Sequence, residues 1–165
     1  PDCVPETMQA LKILSLEIQR MPKSLSETFA DPAHYPHLSV CTTSTHDMNP
    51  LRAWWEEDRS VTDRFYHEVL HGEGDTPWFC EPWICRRIIG MHLSSPAMFT
   101  ILPLQDWLSM NGGLRLQMPD RERINVPAIP RYYWRYRMHL TLERLLAEED
   151  FNTTMRDMIA MSRRR

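Results

Sequence analysis

The residues of this sequence best suited to chemistry are Thr43-Ser44-Thr45-His46-Asp47, which close a run of β-branched and small residues that begins at Leu38. An imidazole beside a carboxylate can grip neutral hydroxyl groups from two sides, because the ring donates or accepts and the carboxylate accepts. If the run is a strand of a βα barrel, polar side chains at its C-terminal end face the active site. A plainer reading competes with that one. Asp47 could simply cap the next helix or orient His46, and the dipeptide alone does not decide. Two further carboxylates sit near strand-like runs. Glu17 lies inside one and reads first as a packed or paired strand residue, while Asp106 follows another and reads as a helix N-cap.

Metal chemistry finds little support. Cys3, Cys41, Cys80 and Cys85 have no short spacing resembling a zinc site or a disulfide scaffold, so they read as reduced, mostly buried thiols. His34 and His37 stand three apart in a proline-rich stretch without a matching cysteine or carboxylate pattern, and read as structural or surface histidines.

These side chains need elements to hold them. Val4, Met8, Leu11 and Leu14 fall near one helical face, so a helix is expected to end around Leu14. A short strand over Leu14–Gln19 closes at Pro22, a loop fills 23–37, and a buried strand is expected over Leu38–Thr45. Asn49 and Pro50 read as the N-cap and first position of a helix carrying Leu51, Trp54, Val61, Phe65 and Val69 on one stripe. After a turn-rich excursion over His71–Pro77, a second helix spans roughly Pro82–Leu93, with Pro96 marking its end. Ala97–Leu104 is the third strand candidate, interrupted by Pro103, and residues 111–131 are irregular. Two helices follow from about Met138, jointed near Asp150. Strands alternating with helices predict parallel βα units and an α/β class. Three strands make a poor sheet alone, since parallel strands are covered on both faces and flanked by neighbours. A slice of something larger is expected.

Composition sets the outer bounds. The 165 residues suffice for one domain, and 42% hydrophobic with 25% charged residues is ordinary for a globular chain. A net charge of −3 argues against nucleic acid as the main partner, and Arg163–Arg165 reads as a solvated tail. No apolar run approaches the roughly 20 residues that span a bilayer, so no membrane partner is expected. With 5 Gly against 13 Pro, turns are made by proline, and the six Trp are first of all core material. The chain starts at Pro1 and its first residues read as helix rather than leader, so the lack of a signal peptide carries no information.

Several ordered stretches together carry a resemblance: Asp2 to Pro22, then Thr45-His46-Asp47 followed by Leu51-Arg52-Ala53-Trp54-Trp55-Glu56, and Pro103-Leu104-Gln105-Asp106-Trp107-Leu108. Arg123-Ile124-Asn125-Val126-Pro127-Ala128-Ile129-Pro130, running into Trp134-Arg135-Tyr136-Arg137, completes the set. In this order they resemble the amylomaltase (4-α-glucanotransferase, disproportionating enzyme) family, most of all its plant-cytosol and gut-bacterial branch. The resemblance implies a cytoplasmic (β/α)₈ TIM-barrel enzyme that needs no cofactor and moves segments between α-1,4-glucans such as maltotriose and longer maltodextrins. It implies that residues 1–165 form the C-terminal part of the catalytic barrel, about strands six to eight with their helices, the N-terminal part being absent. Retaining chemistry of this kind uses a nucleophile and an acid/base carboxyl about 5–5.5 Å apart.

By motif position Asp47 matches the family's third, transition-state-stabilising carboxylate and His46 its neighbouring sugar-binding histidine. The family's nucleophile lies on an earlier strand and its acid/base glutamate shortly before the stretch matching Asp2-Cys3-Val4-Pro5-Glu6. These residues alone are therefore expected to be inactive. Asn125 falls in a loop that lies near the sugar site in the family; its amide either binds glucose hydroxyls or stabilises a turn. Trp54 is expected in the core, and Arg135 and Arg137 are expected to brace structure near the acidic segment Glu143–Asp150. An α-amylase-like hydrolase and a non-catalytic carbohydrate-binding or interaction module are the alternative functions. Exposed strand edges would favour self-association.

Overall fold

The computed structural model describes residues 3–164; Pro1, Asp2 and Arg165, with the readings that touch them, lie outside the described residues. Helix α1 (Cys3–Ala10) stops short of Leu14. Lys12 takes a left-handed φ of 55°, and the amides of Leu11 and Ile13 bond back to the carbonyls of Thr7 and Met8. This wraps the last turn and feeds the chain into strand β1 (Ser15–Ile18).

Strands β2 (Ser39–Thr42) and β3 (Phe99–Thr100) complete a three-stranded sheet of order β1-β2-β3, parallel throughout. Register sets Leu16 opposite Val40 and Val40 opposite Phe99, with Glu17, Cys41 and Thr100 forming the next row. Alternation along strands turns these rows to opposite faces. On the helix side Cys41 is fully buried, its Sγ 3.3 Å from Ser95 Oγ. Glu17 is buried there too, accepting from Ser15 Oγ and pairing with Lys23, which bears out its reading as a paired strand residue. The other face is apolar and open, with Leu16 50% and Phe99 51% exposed.

The helices follow β2. The stripe Leu51-Trp54-Val61-Phe65-Val69 forms two helices rather than one, α2 (Leu51–Trp55) and α3 (Arg59–Arg64). Asp58 restarts the second by accepting from the amides of Ser60 and Val61, which satisfies two otherwise orphaned donors. A π-helical turn over Phe65–Val69 ends α3. Helix α4 (Pro82–Leu93) has the predicted bounds, and α5 (Leu104–Ser109) starts where the third strand was expected to run on. After an irregular stretch with a 3₁₀ turn at Pro119–Glu122, α6 (Leu142–Ala147) and α7 (Glu149–Met161) meet at Glu148.

The main core is shared among these helices: Leu51, Trp55, Phe65, Leu70, Ile84, Ile88, Leu108 and Phe151 are buried in one cluster, against which Trp54 packs as expected. Cys41, Cys80 and Cys85 are buried thiols. Cys80 and Cys85 Sγ lie 3.4 Å apart, and burial, with the Cys85 contact, pushes the Cys80 thiol well up. Cys3 is exposed. His34 and His37 are exposed, and among the described residues no three His, Cys, Asp or Glu side chains are grouped to hold a metal ion.

Three expectations change here. Arg164 is docked rather than solvated: its Nε donates to Leu93 O at 2.7 Å and its Nη2 to Ser95, at the C-terminal end of α4, where carbonyls lack helical partners. Arg135 stacks over Tyr133 at 5.1 Å instead of bracing the 143–150 segment. Pro50, not Asn49, occupies the cap position of α2, and Asn49 donates to Glu57 instead.

Candidate functional site

Beyond Thr42 the chain leaves the sheet because the next two side chains turn inward. Thr43 Oγ1 and Ser44 Oγ donate at 2.6 and 2.7 Å to Asp106 Oδ2, and Leu51 N–H donates at 2.9 Å to Asp106 Oδ1. Asp106 is therefore not the N-cap of α5, a position that Pro103 holds. It is a buried carboxylate joining the C-terminal end of β2 to the first turn of α2. Between these anchors residues 45–49 bulge outward and carry His46 and Asp47 into solvent, their side chains 50% and 53% exposed.

Asp47 meets two partners. Asn125 Nδ2 donates to its Oδ1 at 2.7 Å, and His46 Nε2 lies 3.2 Å from its Oδ2. The backbone repeats the link, since Asn125 N–H donates to His46 O at 3.1 Å, and Arg123 Nε steadies Asn125 by donating to its carbonyl. The Trp134 ring packs on His46 with centroids 4.7 Å apart, tilted by 37°. The arrangement retains bonding capacity: each carboxylate oxygen can accept a second bond, and the Asn125 side chain keeps one amide hydrogen and its Oδ1. It is a half-exposed group of an acceptor, an imidazole and an amide against an aromatic ring, which suits neutral hydroxyl groups on a ring-shaped ligand.

Beneath the loop lies a charged layer. Arg52 Nη1 donates to Leu116 O at 2.6 Å and pairs at 3.4 Å with Glu122, both side chains being almost wholly buried. Among the described residues Glu122 Oε2 has no hydrogen-bond partner, and burial pushes this carboxyl up from 4.5 to about 7, with Arg52 opposing. A void of about 30 Å³ separates Glu122 from His46 and Thr45. That space admits about one water molecule. A ring-sized ligand could therefore meet these groups only from the outer side. A hollow of about 600 Å³ lies elsewhere, against α1, Ser15 and Leu38, at the N-terminal ends of β1 and β2. It is away from the strand ends that carry chemistry in βα folds.

Comparison with known proteins places the chain in a family. The family described as 4-alpha-glucanotransferase matches residues 1–142. The chain belongs to the 4-alpha-glucanotransferase family. It is 38% identical over 164 residues to 4-alpha-glucanotransferase DPE2 of Oryza sativa subsp. japonica, covering 99% of this chain and 17% of that protein. It is 27% identical over 163 residues to the 4-alpha-glucanotransferase of Chlamydia caviae, covering 97% of this chain and 30% of that one. The fold resembles the amylomaltase of Streptococcus agalactiae in complex with acarbose, with a TM-score of 0.72 over 99% of this chain and 30% of that one, at 15% identity. The chain thus spans between 17% and 30% of these relatives, and its α/β unit with a small parallel sheet matches part of an amylomaltase fold.

Within this family member the three residues singled out from the sequence, His46, Asp47 and Asn125, lie in direct contact. The Asn125 side chain bonds to Asp47 rather than to its own loop. Sequence reasoning passed over Trp134 and the anchoring of the loop by Asp106. Trp134 stood within a quoted stretch but at no readable spacing from His46. Asp106 occupied a position where a capping role was locally sufficient.

Proposed function

We propose that these 165 residues contribute the C-terminal part of a (β/α)₈ barrel, about strands six to eight, to a retaining 4-α-glucanotransferase that transfers α-1,4-glucan segments between maltodextrins. Asp47 acts as the transition-state-stabilising carboxylate, and His46 and Asn125 bind hydroxyls of the reacting sugar. The observation that carries this reading is the bond from Asn125 Nδ2 to Asp47 Oδ1, which joins two segments 78 residues apart at the C-terminal end of β2. Hydrogen bonds to sugar hydroxyls there would strengthen as the ring distorts toward its oxocarbenium-like state. The acarbose carried by the streptococcal amylomaltase supports an α-glucan as ligand. The open apolar row of Leu16, Val40 and Phe99 supports a sheet continued by further strands, and by itself favours self-association. Three buried free thiols suit a reducing compartment, in keeping with a cytoplasmic enzyme.

The nucleophile and the acid/base carboxyl are assigned to parts of the polypeptide outside these residues. Isolated residues 1–165 should therefore release no glucose from maltotriose, because the covalent step has no nucleophile. The longer polypeptide should give glucose together with longer oligomers, and Asp47→Asn should lower that rate by about 100-fold or more, as for loss of other transition-state contacts. Chromatography of the products decides. Activity of the isolated residues that vanishes in Asp47→Asn would overturn the map, and products confined to shorter glucans would mark a hydrolase.

A further inference from the structure

The loop that carries His46 and Asp47 has a neck, and two side chains grip both of its sides. Arg20, just beyond β1, donates from a single Nη2 to Thr43 O at 2.9 Å and to Asn49 O at 2.8 Å, which closes the neck from one direction. Asp106, in the first turn of α5, accepts from Thr43 and Ser44 on the entering side and from Leu51 N–H on the leaving side. Thr43, Ser44 and Asp106 are all buried, so water does not substitute for these bonds. The Arg20 guanidinium also lies 4.9 Å over the Trp54 ring, which keys it to α2. Burial lowers Arg20 to about 10, and Asp106 is the foremost carboxylate acting against that. The two residues thus reach a single loop from two sides, Arg20 from just beyond β1 and Asp106 from the first turn of α5.

We propose that Arg20 and Asp106 are positioning residues for glucan transfer, clamping the neck so that Asp47 and His46 are held at the reacting sugar. The proposal rests on the preceding reading of Asp47. Neither residue faces the outer side of the loop; both act through the backbone and hydroxyls of Thr43, Ser44, Asn49 and Leu51. The chemistry of the clamp requires a carboxylate at 106. Asp106 meets three donors and presents only acceptors, whereas an asparagine would turn an NH₂ toward one of them. The loop tip would then shift relative to Asn125 and to the sugar. A displacement near 1 Å costs about 100-fold in rate when geometry sets the barrier.

The test uses the longer polypeptide that contains these residues, with maltotriose as substrate. The variants are Asp106→Asn, Thr43→Val, Thr43→Ser and Asp47→Asn. Thr43→Val keeps shape and removes one donor, leaving Asp106 with Ser44 and Leu51; Thr43→Ser restores the hydroxyl. Expected are a fall in kcat of about 100-fold for Asp106→Asn and about tenfold for Thr43→Val, with KM moved less than about twofold and Thr43→Ser near the parent. Circular dichroism must show each variant folded at the assay temperature. If Asp106→Asn does not fold, the Thr43→Val and Thr43→Ser pair decides. An unchanged kcat per folded molecule in Thr43→Val, or equal damage from Val and Ser, overturns the clamp. If Asp47→Asn abolishes transfer while Asp106→Asn and Thr43→Val do not, only the clamp falls. Full activity of Asp47→Asn removes both readings, since no group is left to position.

Discussion

Glu122 offers the sharpest test of the electrostatics beneath the site. Its side chain is 2% exposed, its Oε1 lies 3.4 Å from Arg52 Nη1, and its Oε2 has no partner among the described residues. Burial holds the carboxyl at about 7 instead of 4.5, because Arg52 compensates only part of the lost hydration. Between these two values the folded chain keeps a proton that the unfolded chain has released, so stability falls as pH rises from 4.5 to about 7 and levels off above. At about 1.4 kcal/mol for each tenfold change in proton affinity, the full swing is about 3 kcal/mol. Glu122→Gln removes the titration while keeping shape. Urea unfolding of both proteins from pH 4 to 8.5, followed by tryptophan fluorescence, should show the variant gaining on the parent by about 3 kcal/mol across this window. The absolute offset at one pH also contains the lost Arg52 contact, so the slope of the difference is the observable. A difference constant to within about 0.5 kcal/mol would mean that Glu122 stays ionised in the fold and that the buried pair is intact.

His92 should act with the opposite sign. It is fully buried, its Nδ1 lies 2.8 Å from Ile88 O, and burial lowers it from 6.5 to about 4. The unfolded chain therefore binds a proton first, and stability is lost as pH falls from 6.5 to about 4. His92→Asn should flatten that limb in the same titration, and a parent-like acid limb would refute the assignment. Packing gives a further contrast: Ile88→Ala should cost about 3 kcal/mol in urea unfolding by opening a cavity. Leu16→Ala should cost less than about 1 kcal/mol in the isolated residues but more in the longer polypeptide, because the proposed barrel would cover the sheet face on which Leu16 is exposed. Equal costs in both settings would count against a continued barrel.

Local patterns carried much of this protein. The 3.6-residue spacing of Ile84, Ile88 and Met91 after Pro82 gave α4 its bounds, because an amphipathic stripe and a proline at the first turn are properties of the segment itself. Strand ends were less legible. β2 was expected to reach Thr45 and stops at Thr42, because Thr43 and Ser44 exchange a sheet position for two bonds to a carboxylate more than 60 residues away. β3 keeps two residues of an expected eight-residue run, since Pro103 opens α5 and Ile101 N–H makes the last bond to β2, at Cys41 O.

For the candidate site, residue type alone left His46 and Asp47 undecided, since an imidazole beside a carboxylate can also cap or brace, and it was the order of motifs in the family resemblance that singled out His46, Asp47 and Asn125. That they touch was decided by the tertiary structure, which brings a loop 78 residues downstream onto Asp47 and lays Trp134 on His46. The same holds for the clamp. Asp106 reads as a cap in its own neighbourhood, where the nearest amides would accept its help. In the folded chain it serves β2 and α2 instead, because three donors buried around it outcompete one cap at the mouth of a helix already opened by Pro103. Sequence determines which groups are available and the periods of the elements that carry them. Which partner each buried polar group finds depends on the whole fold, since burial makes every unpaired donor or acceptor costly and the chain is packed to satisfy them together.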